Sequence, residues 1–312
     1  SPASTAPREH PPASRSAGAQ PLASGHQEPA PRPVVDRLVA FGDVHGDLDA
    51  AKAALRLAGV VDANLRWTGG KTVLVQTGDL LDRGDEERAV LALFARLAEE
   101  ARAAGGRVHV LNGNHELMNV AGDMRYVTPR GLAEFTDLPG LDLDAPALAK
   151  LPAEHRPRVA AFAPGGPYAL ALADNPVVLV VGRTLFAHGG VLAQHAAYGF
   201  ERINREARQW LRGESLRGRR LVARRDSPVW VRRFSGPPSE VDCAELGRAL
   251  AAADVDRLVV GHTVQQGGIT SACGERVWRI DVGLSAHYGG PTEVLELTTE
   301  GVRPLRRSSG RR

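Results

Sequence analysis

The sequence predicts an α/β (α+β) fold in one large domain carrying a small inserted helical lobe, and three observations support that expectation. Between Arg37 and Leu111 the pattern runs strand, helix, strand, helix, strand, the order that parallel crossovers leave. Each of these strands stops at a cluster of Gly with Asp, Asn or His, so polar side chains gather where the strand C-termini share an edge. The 312 residues, 43% hydrophobic and 24% charged, can bury one sizeable core. No apolar run approaches the ~20 residues that a membrane span requires. Formal charge is only +3, and although arginine far outnumbers Lys52, Lys71 and Lys150, charge alone does not indicate a nucleic-acid partner.

Ser1 to Pro33 is rich in Pro, Ala, Ser and Gly, with Leu22 as its one large aliphatic residue, which predicts a disordered leader (1–33) ahead of a folded domain (34–302). The leader has no apolar h-region, and an opening Ser fits either a removed signal or a trimmed chain. A periplasmic or secreted location is therefore expected, with the cytoplasm as the alternative. Arg37 to Gly42 reads as the first strand, followed by Asp43-Val44-His45-Gly46. Asp47 is an N-cap for a helix whose apolar positions are Leu48, Ala51, Leu55 and Ala58, stopped by Gly59. Asp43 and His45, two apart in extended backbone, can turn an oxygen and a nitrogen to one cation. By itself such a pair is more often plain loop.

Lys71 to Thr77 is a buried strand bounded by glycines, and it delivers Gly78-Asp79-Leu80-Leu81-Asp82-Arg83-Gly84. A carboxylate at Asp79 can bridge two hard cations roughly 3.5–4 Å apart, with Asp82 and Arg83 near enough to add an acceptor and a planar donor fork. The same residues also suit an ordinary polar turn. Glu86 to Ala104 is a helix with Val90, Leu91, Phe94, Leu97 and Ala101 on one stripe. Arg107 to Leu111 then leads into Asn112-Gly113-Asn114-His115-Glu116. His109, inside that strand, reads as a core or surface histidine, not a ligand. Val177 to Ala187 forms a hairpin through Gly182-Arg183 that ends at His188-Gly189-Gly190. Arg257 to Val260 runs into Gly261-His262, and Glu293 to Leu297 is a closing strand before a frayed tail (303–312).

These blocks, Gly42-Asp43-x-His45-Gly46, Gly78-Asp79-x-x-Asp82-Arg83-Gly84, Gly113-Asn114-His115-Glu116, His188-Gly189-Gly190 and Gly261-His262, resemble the calcineurin-like metallophosphoesterases in order and spacing. Within that family they look like the PPP-type phosphoprotein phosphatases. Met118-Asn119, Gly122-Asp123-Met124-Arg125-Tyr126-Val127, Ser227-Pro228-Val229-Trp230-Val231-Arg232 and Arg279-Ile280-Asp281-Val282-Gly283-Leu284-Ser285 resemble the Shewanella-like protein phosphatase branch. His287-Tyr288 is a departure near the end. The resemblance spans about Val34 to Leu297 and implies a metallophosphatase β-sandwich of two mixed sheets flanked by helices.

It further implies two divalent metal ions per chain, one held by Asp43, His45 and Asp79, the other by Asp79, Asn114, His188 and His262. Mixed nitrogen and oxygen ligands suit manganese, iron and zinc. Two such ions outweigh the charge of Asp43 and Asp79 and leave a site suited to a phosphate dianion, with a bridging hydroxide attacking phosphorus in line. By the same resemblance His115 is the general acid, Asp82 orients it, and Arg83 and Arg232 grip phosphate oxygens. Arg233, next in the chain, competes with Arg232 for that place.

Leu117 to Pro176 breaks into short amphipathic pieces, read as an inserted lobe (117–176) with helices over Ala145–Leu151 and Ala153–Phe162. Arg125 and Tyr126 face substrate or clamp the lobe; both readings stand. Glu201 to Arg225 reads as a helix plus an arginine-rich tail, a solvated face or a steering surface for acidic phosphopeptides. Leu246 and Leu250 mark one more helix. Cys243 and Cys273, the only cysteines, either pair in an exported protein or stay as free thiols in a reducing one. The expected function is a metal-dependent phosphoprotein phosphatase, leaning towards phosphotyrosine over phosphoserine or phosphothreonine, acting as a monomer on a phosphorylated protein or peptide. Alternatives are a dinucleoside tetraphosphatase and a phosphoprotein-binding scaffold without turnover.

Overall fold

β1 (Arg37–Phe41), β2 (Val73–Gln76) and β3 (Arg107–Val110) are runs of Val, Leu and Phe, and they pair in parallel with Val39 opposite Leu74 and Leu74 opposite Val108. Each parallel pair needs a crossover, supplied by α1 (Leu48–Leu57) and α2 (Glu87–Ala103). The Asp47 side chain caps α1, accepting from the Ala50 N–H at 2.8 Å. The computed structural model describes residues 35–307, so the expected leader lies outside the described residues.

β9 (Glu293–Thr298) and β10 (Gly301–Arg306) extend this sheet antiparallel, giving the order β10-β9-β1-β2-β3. Here the expectation of a frayed tail from Arg303 fails. Arg303 and Arg306 reach across the ladder to Glu296 (2.7 Å) and Glu293 (2.9 Å), while Val302 and Leu305 pack on the core. What reads as a tail is an edge strand whose arginines stand directly opposite the glutamates of β9. Residues 308–312 lie outside the described residues.

The second sheet has the order β4-β5-β6-β8-β7, built from β4 (Val178–Val181), β5 (Thr184–Ala187), β6 (Arg257–Val260), β7 (Thr270–Ala272) and β8 (Val277–Arg279). β4 and β5 form the expected hairpin, and β5, β6 and β8 run parallel. Phe186, Val259 and Trp278 sit on one rung and share an apolar core with Val39, Leu74 and Leu295 of the first sheet. Their neighbours Leu185, Leu258 and Val277 point the other way, into a second core with Ile203, Ala207, Trp210, Leu246 and Leu250. The result is two mixed sheets face to face with helices outside.

Those outer helices include α7 (Ala193–Tyr198), α8 (Phe200–Leu211), α9 (Arg217–Val222) and α10 (Glu240–Ala253). α9 lies in what reads as a tail after α8. Gly218 permits it, because a Cβ there would stand 2.2 Å from the Glu206 carbonyl oxygen. Between the sheets in sequence come α3 (Asn114–Val120), α4 (Pro129–Ala133), α5 (Arg156–Phe162) and α6 (Pro167–Leu172). The helix expected over Ala145–Leu151 is a single 3₁₀ turn, Pro146–Leu148, and the one expected over Ala153–Phe162 starts as a 3₁₀ turn before α5. Pro152 stands just before the 3₁₀ turn, and Pro157 sits in the first turn of α5, where its missing N–H costs no helical hydrogen bond.

Candidate metal centre

The C-terminal ends of β1, β2, β3, β5 and β6 bring the polar blocks to one place. Gly42 is needed after β1, since a Cβ would sit 2.7 Å from the Asp281 Cα. The N–H groups of Val44 and His45 donate to the Asp79 carbonyl (3.0 and 2.9 Å), which ties the first block to the second. Nine non-glycine residues among those described have positive φ, and five of them belong here: His45, Asp79, Asp82, Arg83 and His262. Each such conformation costs on the order of 1–3 kcal/mol, so it persists only where surrounding contacts hold it.

Glu116 supplies that hold at Asp79. Its buried carboxylate accepts the N–H groups of Asp79 (2.8 Å), Leu80 (2.8 Å), Leu81 (3.3 Å) and Gly113 (2.7 Å). Burial, with Asp79 nearby, pushes Glu116 up to about 7. Its place beside His115 was visible in the sequence; its role as a clamp was not.

Around Asp79 the nitrogens of four histidines converge. Asp79 Oδ2 lies 3.1 Å from His188 Nε2, 3.8 Å from His115 Nε2 and 4.0 Å from His45 Nε2. His188 Nε2 also stands 2.9 Å from Asn114 Oδ1 and 3.1 Å from His262 Nδ1. Two buried groups result, His45/Asp79/His115 and Asp79/His188/His262, with ligand atoms within 4.8 Å of one another and Asp79 common to both. The outer nitrogens are already engaged: His45 Nδ1 with the Leu81 carbonyl and His188 Nδ1 with the Thr77 carbonyl, each at 2.9 Å. Nε2 of each therefore turns a lone pair inward.

Asp43 stands beside these groups and in neither of them. Its Oδ1 accepts the His262 N–H at 3.2 Å. Burial and then Asp281 raise its carboxyl well above the usual range, while burial takes Asp281 to about 6. Asp281, noted in the sequence only as part of a longer block, is thus the carboxylate that adds most to the effect of burial on Asp43.

The donor set fits a divalent cation. Asn114 Oδ1, Asp79 Oδ2, His188 Nε2 and His262 Nδ1 all carry lone pairs facing one another, and only a cation or a proton between them relieves that repulsion. Burial pulls the His188 imidazolium down, but Asp79 and Asp43 overcome it and raise it to about 10. Burial and the charge of His188 push His262 to about 2, and burial takes His45 to about 4. Asp79 is lowered well below its ordinary value, because His188 and His115 outweigh the burial that would raise it.

His115 differs from the other imidazoles. Its Nδ1 is 2.6 Å from Asp82 Oδ2, and Asp79 and Asp82 raise its pKa against burial. Asp82 Oδ1 accepts from Asn119 (2.9 Å) and from Arg158 of α5 (3.3 Å). Arg158 is fully buried and also binds Glu87 through both terminal nitrogens, while Glu87 accepts the Asp82 N–H. No local motif marks Arg158 or Glu87, which lie 71 residues apart.

Arg83 and Tyr126 also meet at the site. The guanidinium of Arg83 lies 4.5 Å from the Tyr126 ring centre and 5.4 Å from that of Tyr288, and its Nη1 is 3.2 Å from His287 Nε2. The Tyr126 ring is 5.1 Å from that of His115. Arg125 turns away to Asp123 at 2.7 Å. Arg232 reaches Thr263 Oγ1 (2.7 Å) and the His262 carbonyl (3.3 Å), whereas Arg233 is taken by Asp242 at 2.5 Å. Cys243 and Cys273 are joined in a disulfide, Cα atoms 5.3 Å apart.

Residues 36–266 match the calcineurin-like phosphoesterase family. The chain is 42% identical over 302 residues to Shewanella-like protein phosphatase 2 of Arabidopsis thaliana, covering 86% of this chain and 77% of that protein. It is 29% identical to Shewanella-like protein phosphatase 1 of Plasmodium berghei, covering 86% and 74%. Among solved structures, a cold-active protein tyrosine phosphatase aligns with a TM-score of 0.73 at 25% identity, covering 89% of this chain and 78% of that one. A protein serine/threonine phosphatase of Saccharomyces cerevisiae, at TM-score 0.56 and 15% identity, shares the fold. Since the matched stretch includes every block around Asp79, the chain belongs to the calcineurin-like phosphoesterases, in their Shewanella-like protein phosphatase branch.

Proposed function

We infer that this protein removes phosphate from phosphorylated proteins as a metal-dependent hydrolase, and the observation that carries the reading is Asp79 shared between two histidine groups with His115 backed by Asp82 beside them. Asp43, His45 and Asp79 would hold one cation; Asp79, Asn114, His188 and His262 would hold the other. Manganese, iron and zinc all suit this ligand set. When bound, such a pair neutralises phosphate charge and lowers the pKa of water enough to give a nucleophile near neutral pH.

The chain's own residues do the rest. Asp79 and Asp82 favour the imidazolium form of His115 against burial, and with its Nδ1 proton held by Asp82 the Nε2 proton faces the space beside Asp79, where a departing oxygen can take it. Arg83, steadied by Tyr126 and Tyr288, and Arg232, steadied by Thr263, offer planar donor forks to the non-bridging oxygens. A phosphotyrosine preference is supported by the aromatic pair Tyr126 and Tyr288 flanking Arg83 and by the likeness to the cold-active tyrosine phosphatase. The disulfide supports an oxidising compartment, such as a periplasm or the cell exterior. We take the protein to act as a monomer.

The test is turnover of matched phosphotyrosine and phosphothreonine peptides and of diadenosine tetraphosphate, each with manganese, iron and zinc. Hydrolysis of the phosphotyrosine peptide at the highest kcat/KM is expected. Faster hydrolysis of the dinucleotide would overturn the protein-phosphatase reading, and tight peptide binding without phosphate release would make the protein a scaffold.

A further inference from the structure

A groove of about 230 Å³ opens beside the expected metal ligand Asn114 and reaches α9, with Met118, Ala121, Val222 and Trp230 as apolar lining and Arg219 and Asp123 as its charged residues. Asp123 is already paired with Arg125, so Arg219 is the charge left over. On the opposite face of α9 a second depression, about 370 Å³, is lined by Arg202, Arg217, Arg220 and Arg224 beside Tyr198 and Glu206. Helical spacing explains the division: Arg219, Val222 and Ala223 fall on one side of α9, and Arg217, Arg220 and Arg224 on the other.

Glu201 to Arg225 holds nine arginines against three glutamates. Arg202, Arg212 and Arg224 are satisfied by Glu206, Asp174 and Asp226. Arg217, Arg219 and Arg220 are exposed and make no ion pair among the described residues. Arg217 and Arg220, three residues apart on one side of α9, repel each other, a local cost that an anionic partner would remove.

We propose that α9 and the groove between it and the metal centre dock an acidic segment flanking the phosphorylated residue of a protein substrate. This rests on the protein-phosphatase reading. The size of the feature fits a peptide: α9 is roughly 9 Å long, about three residues of extended chain. The apolar groove wall suits a side chain better than a phosphodiester backbone, and it leads to Asn114, so a segment held there enters the reaction site. Carboxylates of the segment match the guanidinium fork of Arg219 in the groove, and those that follow along the exposed edge of α9 come within reach of the long side chains of Arg217 and Arg220.

The experiment compares kcat/KM for two phosphopeptides of matched sequence, one flanked by three aspartates and one by three serines, with 4-nitrophenyl phosphate as a small reference substrate. Each exposed ion pair is worth a factor of about 1.5 to 5, so the wild-type enzyme should favour the acidic peptide on the order of tenfold. That preference should vanish in the triple variant Arg217→Gln/Arg219→Gln/Arg220→Gln. It should also shrink for the wild type as salt is raised to about 0.5 M, a measurement that needs no variant. Equal rates for the two peptides, a variant that loses both alike, or a preference indifferent to salt would each overturn the docking surface. So would a single-stranded oligonucleotide displacing the acidic peptide at lower concentration than the peptide itself binds. If only 4-nitrophenyl phosphate is hydrolysed, it is the protein-phosphatase reading that falls, and the docking surface with it.

Discussion

Asp79 and His115 divide the work at the level of single residues. Asp79 faces three imidazole nitrogens and is lowered by their charge, as befits a ligand. His115 has the same carboxylate as a neighbour, yet its other nitrogen is bound to Asp82, so it holds a proton it can give. His115→Asn should therefore lower kcat by about 10²- to 10⁴-fold on a phosphoserine peptide. The loss should be much smaller on 4-nitrophenyl phosphate, whose leaving group needs no proton. Steady-state kinetics on the two substrates decide it, and equal losses would mean that His115 acts as a ligand instead. Asp79→Asn should leave fewer than two metal ions per chain by elemental analysis. The strained φ of Asp79, Asp82 and Arg83 was not readable from residue type, because acceptors from elsewhere in the fold hold that backbone: Glu116 takes the Asp79 N–H, Glu87 that of Asp82 and the Tyr126 carbonyl that of Arg83.

α5 is the element whose single side chain matters most. Arg158 projects from it into a fully buried pairing with Glu87 at the start of α2 and with Asp82, joining the segment between the sheets to the residue that orients His115. Two carboxylates left in the interior without their cation are costly, so Arg158→Met should destabilise the fold by about 3–5 kcal/mol in chemical denaturation. Adding Glu87→Gln should recover part of that loss; a double variant no more stable than the single one would show that the cost comes from packing. α10 makes a different prediction. Hydrogen bonds from Arg233 and Ser239 hold Asp242 down to about 2. A depressed carboxylate stabilises the fold above its unfolded pKa of about 3.9, and that contribution disappears as pH falls through about 2. NMR titration of the Asp242 carboxyl carbon should find its midpoint near the lower value, and a midpoint near 3.9 would mean that the ion pair with Arg233 does not form in solution.

At the scale of the whole molecule, the Cys243–Cys273 link ties α10 to the turn between β7 and β8, and the chain it encloses carries β6 and His262. With its ends 30 positions apart in sequence, the loop-closure model assigns it about 3.5 kcal/mol. Urea midpoints of the Cys243→Ser/Cys273→Ser variant against the oxidised wild type should differ accordingly, and coincident midpoints would leave the link without a stabilising role. The second sheet is also where tertiary context reached furthest. β7 and β8 are three residues each, too short for any periodicity to reveal, and β8 is placed by pairing along its length with β6 and β7, Trp278 completing a rung with Val259.

The order of strands and helices up to Leu111, and the clusters of Asp, His and Asn at strand ends, were set locally: by β-branched and aliphatic runs, by the Asp47 cap, and by glycines where the chain must turn. These features depend on residues close together in the chain, and periodicity reads them directly. The pairing of Arg158 with Glu87, the grip of Glu116 on the Asp79 turn, the nearness of Asp281 to Asp43 and the conversion of 301–306 into an edge strand depend on partners brought together by the fold. Only packing brings such partners within hydrogen-bonding range, and so only the tertiary structure decided them.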